Sequence, residues 1–169
     1  MKGQISFVEY LAALTIFIVS VLYIAIQLTG FVPQYLNAVN NEKIRIDTYQ
    51  ISELLVNDPG NPMNWYSSSP IYRMGLSNES VNVTNYLSLQ KIKAFNNYCN
   101  APGGYSNIKK NISSTQDFSI LLFNRTGNSG AILIKCEPPV VYSSLLNIAI
   151  RRIVAIDSKD IGELIVQSG

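Results

Sequence analysis

The chain has 169 residues, 13 of them basic and 11 acidic, with a net charge of +2 and no histidine. Phosphate backbones are held by clustered Lys and Arg, and no basic block stands out here, so nucleic acid is not an expected partner. The lack of His removes the commonest general base and metal ligand. No phosphate-cradling glycine loop, metal-ligand cluster or nucleophile motif takes its place, so neither an enzyme nor a cofactor is expected.

The first stretch, residues 1–31, opens with Lys2, Gly3, Gln4 and one acid, Glu9; no further Asp, Glu, Lys or Arg follows until Glu42. About 20 apolar residues span a bilayer core as a helix, so the expectation is one membrane-spanning segment. The run is too long for the apolar part of a secretory signal peptide, and Thr29-Gly30 is a poor cleavage site. Lys2 biases this end toward the cytoplasm and places the rest of the chain outside. A carboxylate near the start of such a segment is costly, which marks Glu9 as functional or paired. The alternative is an acid solvated by headgroups at the cytoplasmic interface.

Residues 4–57 read as one long helix with a kink or break near Gly30 and Pro33, where proline removes an amide hydrogen and clashes with the preceding turn. Its outer half carries Leu36, Val39, Ile44, Ile51, Leu54 and Leu55 among polar residues, an amphipathic pattern suited to lying on a sheet or a neighbour. Asn57-Asp58-Pro59-Gly60 stops it. Residues 58–87 read as loop, with Trp65 either a core anchor or a ligand platform. Ser88 is the expected N-cap of a short helix through Phe95, and a second short helix is expected over 106–112. Phe118–Phe123 and Ala131–Cys136 read as a hairpin around the turn residues 124–130. In residues 147–156 Ile148, Ile150, Val154 and Ile156 alternate onto one face around Arg152, and 163–167 pairs back. Residues 58–169 are thus expected to form an α+β head with an antiparallel sheet of about four strands. Asp157, Asp160 and Glu163 cluster in its last turn, as a solvated turn or a cation site.

Two features bear on location. Cys99 and Cys136 are an even pair, which in an extracytoplasmic domain points to one disulfide, two buried free thiols being the alternative. Four N-x-[ST] sequons begin at Asn78, Asn82, Asn111 and Asn124. With 17 Asn and 24 Ser plus Thr in the chain, roughly two or three would arise by chance, so four is a mild excess.

The N-terminal residues Gly3, Gln4-Ile5-Ser6-Phe7-Val8-Glu9-Tyr10-Leu11 resemble the archaeal class III signal peptide of type IV pilin-like precursors, in which cleavage after Gly is followed by Q-x-S-x-E-x-x-x-L. Gly3, Gln4 and Ser6 match; Glu9 stands one residue later than the pattern and Leu11 one earlier. Glu9-Tyr10-Leu11 is also similar to the V-E-[YF] start of Tad-type pilins and pseudopilins. A second resemblance covers the middle: Gly60, Pro62, Asn64 and Trp65, then Gly75-Leu76, then Lys91 and Phe95 look like the G-x-P-x-N-W, I-G-L and K-x-x-x-F order of archaeal class III signal-peptide protein heads.

The resemblance implies a leader 1–3, removed between Gly3 and Gln4 by a prepilin-type peptidase, and a segment 4–31 that is membrane span or filament core. It implies partners in the membrane and among other pilin-like subunits, with the head outside the cell. The Glu9 carboxylate would meet the new α-amino group of its own or a neighbouring Gln4, offsetting the burial of both charges. A different class of reading is a single-pass anchored surface domain that binds a partner or ligand and does not polymerise, with residues 30–33 as a hinge.

Overall fold

In the computed structural model the described residues are 2–81, 83–126, 130–139, 148–157 and 160–168, with backbone alone for 2–6. The chain divides into two compact units, Met1–Glu42 and Lys43–Gly169.

The first unit is helical throughout its described length. Helix α1 runs Lys2–Asn57 and carries Pro33 inside it. Of the kink or break expected at Gly30 and Pro33, the break is therefore not made. Proline forfeits one bond and crowds one turn, at a cost of about 3 kcal/mol. Stopping would instead demand a second helix nucleus, which is itself unfavourable.

The second unit is an α+β head. Its helical start buries Ile44, Thr48, Ile51, Ser52 and Leu55, positions that share one face at helical spacing. The helix ends where Asp58 Oδ1 accepts the Gly60 amide at 2.6 Å and Gly60 takes φ +92°, a backbone region open to glycine at little cost. Then come strand β1 (Tyr86–Leu87), helix α2 (Leu89–Asn100), helix α3 (Gly104–Ile112) and strands β2 (Phe118–Asn124), β3 (Ile132–Cys136), β4 (Ile148–Ile156) and β5 (Asp160–Ser168).

These strands form one five-stranded sheet in the order β1-β4-β5-β2-β3. Three of the four pairings are antiparallel, as expected, but β1 pairs parallel with β4 through Tyr86↔Ala155 and Leu87↔Ile156. The sheet is mixed, with one strand more than the sequence reading has. Two residues carry no period-2 pattern, so β1 is invisible until β4 supplies its partner. Inward residues Phe118, Ile120, Leu122, Ile134, Val154, Leu164 and Val166 join Ile51, Leu55, Trp65, Ile92, Phe95 and Ile108 in one core.

Two hydrophilic contacts seat the helical start on the sheet. The Thr48 and Ser168 hydroxyls meet at 2.5 Å. Arg152, in mid-strand, donates to the Ser52 hydroxyl at 2.9 Å and to the Glu53 carboxylate, and its guanidinium lies 4.9 Å from the Tyr49 ring centroid. Its neighbour Arg151 faces solvent, as alternation along a strand requires.

Candidate functional site

Two places carry the residues singled out in the sequence. The first is the apolar stretch of α1. Between Phe7 and Phe31 the large hydrophobic side chains are all at least 41% exposed, and Glu9 is exposed among them. Covering such side chains is worth about 1.5–3 kcal/mol each, so the stretch as a whole carries tens of kcal/mol of unrealised burial. An apolar surface of this extent demands lipid or protein over it. The Ser and Thr hydroxyls between Phe7 and Phe31 are already satisfied: Thr15 Oγ1 donates to the Leu11 or Ala12 carbonyl, Ser20 Oγ to Ile16 and Thr29 Oγ1 to Ile26, all at 2.8–2.9 Å. Such internal pairing is what a helix needs in hydrocarbon. Among the described residues, α1 is the one helix long and apolar enough to cross a membrane. Gly3 and Gln4 lie in its helical backbone, but the side chain of Gln4, and Met1 as a whole, fall outside the described residues.

The second place is inside the head, where the residues of the second motif converge. Lys91, on α2, is 1% exposed. Its Nζ donates to the Pro59 carbonyl at 2.9 Å, to the Ser77 carbonyl at 2.9 Å and to the Glu79 carboxylate. An ammonium has three donors, so this one is fully used. Burial is the largest influence and pushes the Glu79 carboxyl up, but the Lys91 bond, a backbone bond and the Lys91 charge together hold the group below the usual carboxylate range. Beside this clasp the buried Trp65 donates Nε1–H to the Gly75 carbonyl at 2.9 Å and packs edge-on to Phe95, centroids 6.5 Å apart. A Cβ on Gly75 would lie 1.9 Å from the Asp58 carbonyl oxygen, and one on Gly60 would lie 2.4 Å from the Trp65 ring. The motif glycines, Trp65, Lys91 and Phe95 thus form one knot joining the end of α1, the 58–79 segment and α2. Trp65 is a core anchor. Its chemistry is structural, because no donor of Lys91 is left for a substrate.

Cys99 and Cys136 form a disulfide, Cα atoms 5.7 Å apart, tying α2 to β3. The same α2 face closes the free edge of β3. Asn96 Oδ1 accepts the Lys135 amide at 3.0 Å and Asn100 Nδ2 reaches the Lys135 carbonyl at 3.4 Å. Unpaired strand edges template aggregation, and side chains that occupy them prevent it.

The acidic turn is divided among internal partners. Asp157 Oδ2 accepts the first amide of α2, from Leu89, at 2.9 Å, and Oδ1 accepts from Asn78 at 3.3 Å. Asp160 accepts from Asn124 at 3.2 Å, and Glu163 pairs with Arg125. Asp157 therefore does the capping expected of Ser88, which occupies the N-cap position of α2 without a side-chain bond. No sequence rule links residues so far apart.

Of the sequon residues, Asn78 and Asn124 use their amides in these bonds, Asn111 lies in α3, and Asn82 falls outside the described residues. The sequence reading also missed Tyr105. Its hydroxyl accepts the Phe118 amide at 3.0 Å and donates to the Phe118 carbonyl at 3.1 Å, pinning α3 to the start of β2. Burial pushes this phenol up to about 12, with the Asp117 charge adding to the effect.

No protein-family model, curated protein or solved structure matches this chain.

Proposed function

We propose that this protein is a type IV pilin-like structural subunit, a minor component of an archaeal surface filament or secretion pseudopilus. The precursor sits in the membrane through α1, is trimmed after Gly3 by a prepilin-type peptidase, and assembles with other pilin-like subunits through the apolar helix. The head is extracellular, with Asn78, Asn82, Asn111 and Asn124 as glycan acceptors. The protein performs no catalysis and takes no cofactor. The observation that carries this reading is the Gly3-Gln4-x-Ser6 start joined to an apolar helix whose side chains are all left uncovered, ahead of an α+β head. Helical backbone that continues through Gly30 and Pro33 supports it over an anchored domain hinged at those residues.

In this reading Glu9 meets the α-amino group that cleavage creates at Gln4, and the pairing offsets the cost of two charges in an apolar bundle. Mass spectrometry of the native N-terminus tests the processing: the chain should begin at Gln4, and an intact Met1 or cleavage near residue 30 would count against it. Glu9→Ala tests the assembly: the variant should stay in the membrane yet lose co-purification with other pilin-like subunits, whereas an anchored, non-polymerising domain would be indifferent.

A further inference from the structure

Residues 61–73 form a closed loop on the head that the filament reading leaves without a role. Its base is sealed by the Asn61↔Arg73 bridge: Asn61 N–H donates to the Arg73 carbonyl at 2.9 Å, and the Arg73 and Tyr72 amides donate to the Asn61 carbonyl at 3.1 and 3.0 Å. Its interior is held by the buried Trp65 and by turn bonds from the Trp65 amide to Pro62 and the Ser67 amide to Asn64, each 2.9 Å. A loop fixed in this way presents its outer side chains in a set arrangement, which lowers the ordering cost of binding. Those outer side chains are Tyr72, 67% exposed, Met63, 60%, and Tyr66, 41%. Around them lie Asn61, Asn64 and Ser69, whose side chains make no hydrogen bond within the described protein. Residues 61–72 contain no charged side chain, and Arg73, at the base, is paired with Asp58 at 2.7 Å.

We infer that this loop is a binding site for a neutral oligosaccharide. A pyranose ring offers an apolar C–H face that stacks on an exposed phenol ring, and a rim of hydroxyls that exchange hydrogen bonds with amides and hydroxyls. Tyr, Asn and Ser supply that pairing of rigid rings and adaptable polar groups. The lack of charge disfavours phosphate and carboxylate ligands, which are held by Arg and Lys. Size decides against a protein partner. A stable protein interface takes about 20–30 residues a side, and the uncharged span of this loop, residues 61–72, offers twelve. A short glycan needs no more than that.

The test uses the full chain in detergent micelles on an array of immobilised neutral oligosaccharides, built from hexoses and N-acetylhexosamines, beside sialylated and uronic-acid glycans. Binding to neutral glycans is expected, unchanged when salt rises because no ion pair is involved. Tyr72→Ala and Tyr66→Ala should each weaken it at least tenfold, and Tyr72→Leu, which keeps an apolar side chain without a flat ring, should weaken it as much. Tyr72→Phe should retain it. The emission of Trp65, the one tryptophan of the chain, verifies that each variant keeps the loop folded. Absence of binding to every neutral glycan, binding confined to the acidic ones, or a Tyr66→Ala/Tyr72→Ala double variant that binds like the parent would overturn the inference. Because binding is read on the unassembled chain, the outcome is independent of whether the protein polymerises.

Discussion

The two units of the chain use the same chemistry in opposite directions. In residues 7–42 of the first unit, hydrophobic side chains point outward and the Ser and Thr hydroxyls fold back onto their own helix. In Lys43–Gly169, the core hydrophobic side chains point inward, and of the charged groups that go in with them Lys91 has all three donors used, while Arg152 is held by Ser52 and Glu53. The first pattern is stable where the surroundings are apolar, and the second where they are water. The difference teaches that burial is set by solvent: an exposed Ile in one unit is as ordinary as a buried Ile in the other.

The contrast can be attacked from the head first, where the largest effects are expected. Lys91→Ala leaves the buried Ser77 carbonyl, the Pro59 carbonyl and the Glu79 carboxylate without their partner. It should cost about 3–5 kcal/mol, from the charge-assisted bonds lost and the Ser77 acceptor left unsatisfied, measured by chemical denaturation of the detergent-solubilised chain. Replacing Cys99 and Cys136 together by Ser opens a loop with a sequence separation of 37. The chain-entropy relation gives a loss of roughly 3–4 kcal/mol, and reduction with dithiothreitol should reproduce it.

On the membrane side, Ile18→Arg puts a charge in mid-run and should cost roughly 2.5–3.5 kcal/mol of insertion. It would be read as protein released by alkaline carbonate extraction. An unchanged membrane fraction would mean that the apolar run is not the anchor. Tyr105→Phe removes a hydroxyl that serves both the amide and the carbonyl of Phe118 and should cost about 1–3 kcal/mol. Because this phenol is raised to about 12, its contribution is complete below its ordinary value near 10. It fades as pH climbs from about 10 through about 12, so the parent should lose stability across that window and Tyr105→Phe should lose less.

The smallest effect is at the other end of the pH scale. Glu79 is held below the usual carboxylate value, so its contribution is present above that value and lost as pH falls through the lowered one. Glu79→Gln should flatten the acid limb of a stability–pH curve without moving the neutral midpoint by much, since its side chain is partly solvated.

Much of this was legible in the residues. The apolar run needs only length and composition to be read, and the hairpin β2–β3 and the strand alternation around Arg152 need only period 2. The pairing of Cys99 with Cys136 was readable as one of two alternatives. Lys91 was readable as a motif position, but nothing local says that a lysine on a short helix is buried. That depends on the Pro59 and Ser77 carbonyls, brought in by a loop with no pattern of its own.

By itself, then, the sequence determined the division of the chain: an apolar run of bilayer length, a breaker cluster at 57–60, and an α+β head with antiparallel hairpins. These are local properties, set by hydrophobic periodicity, proline and glycine. The tertiary structure alone decided the parallel strand Tyr86–Leu87, the capping of α2 by Asp157, the clasp around Lys91 and the pinning of β2 by Tyr105. Each of these is a hydrogen bond between residues far apart in the chain. Such bonds form because burial leaves polar groups with no water to turn to, and folding is what chooses their partners.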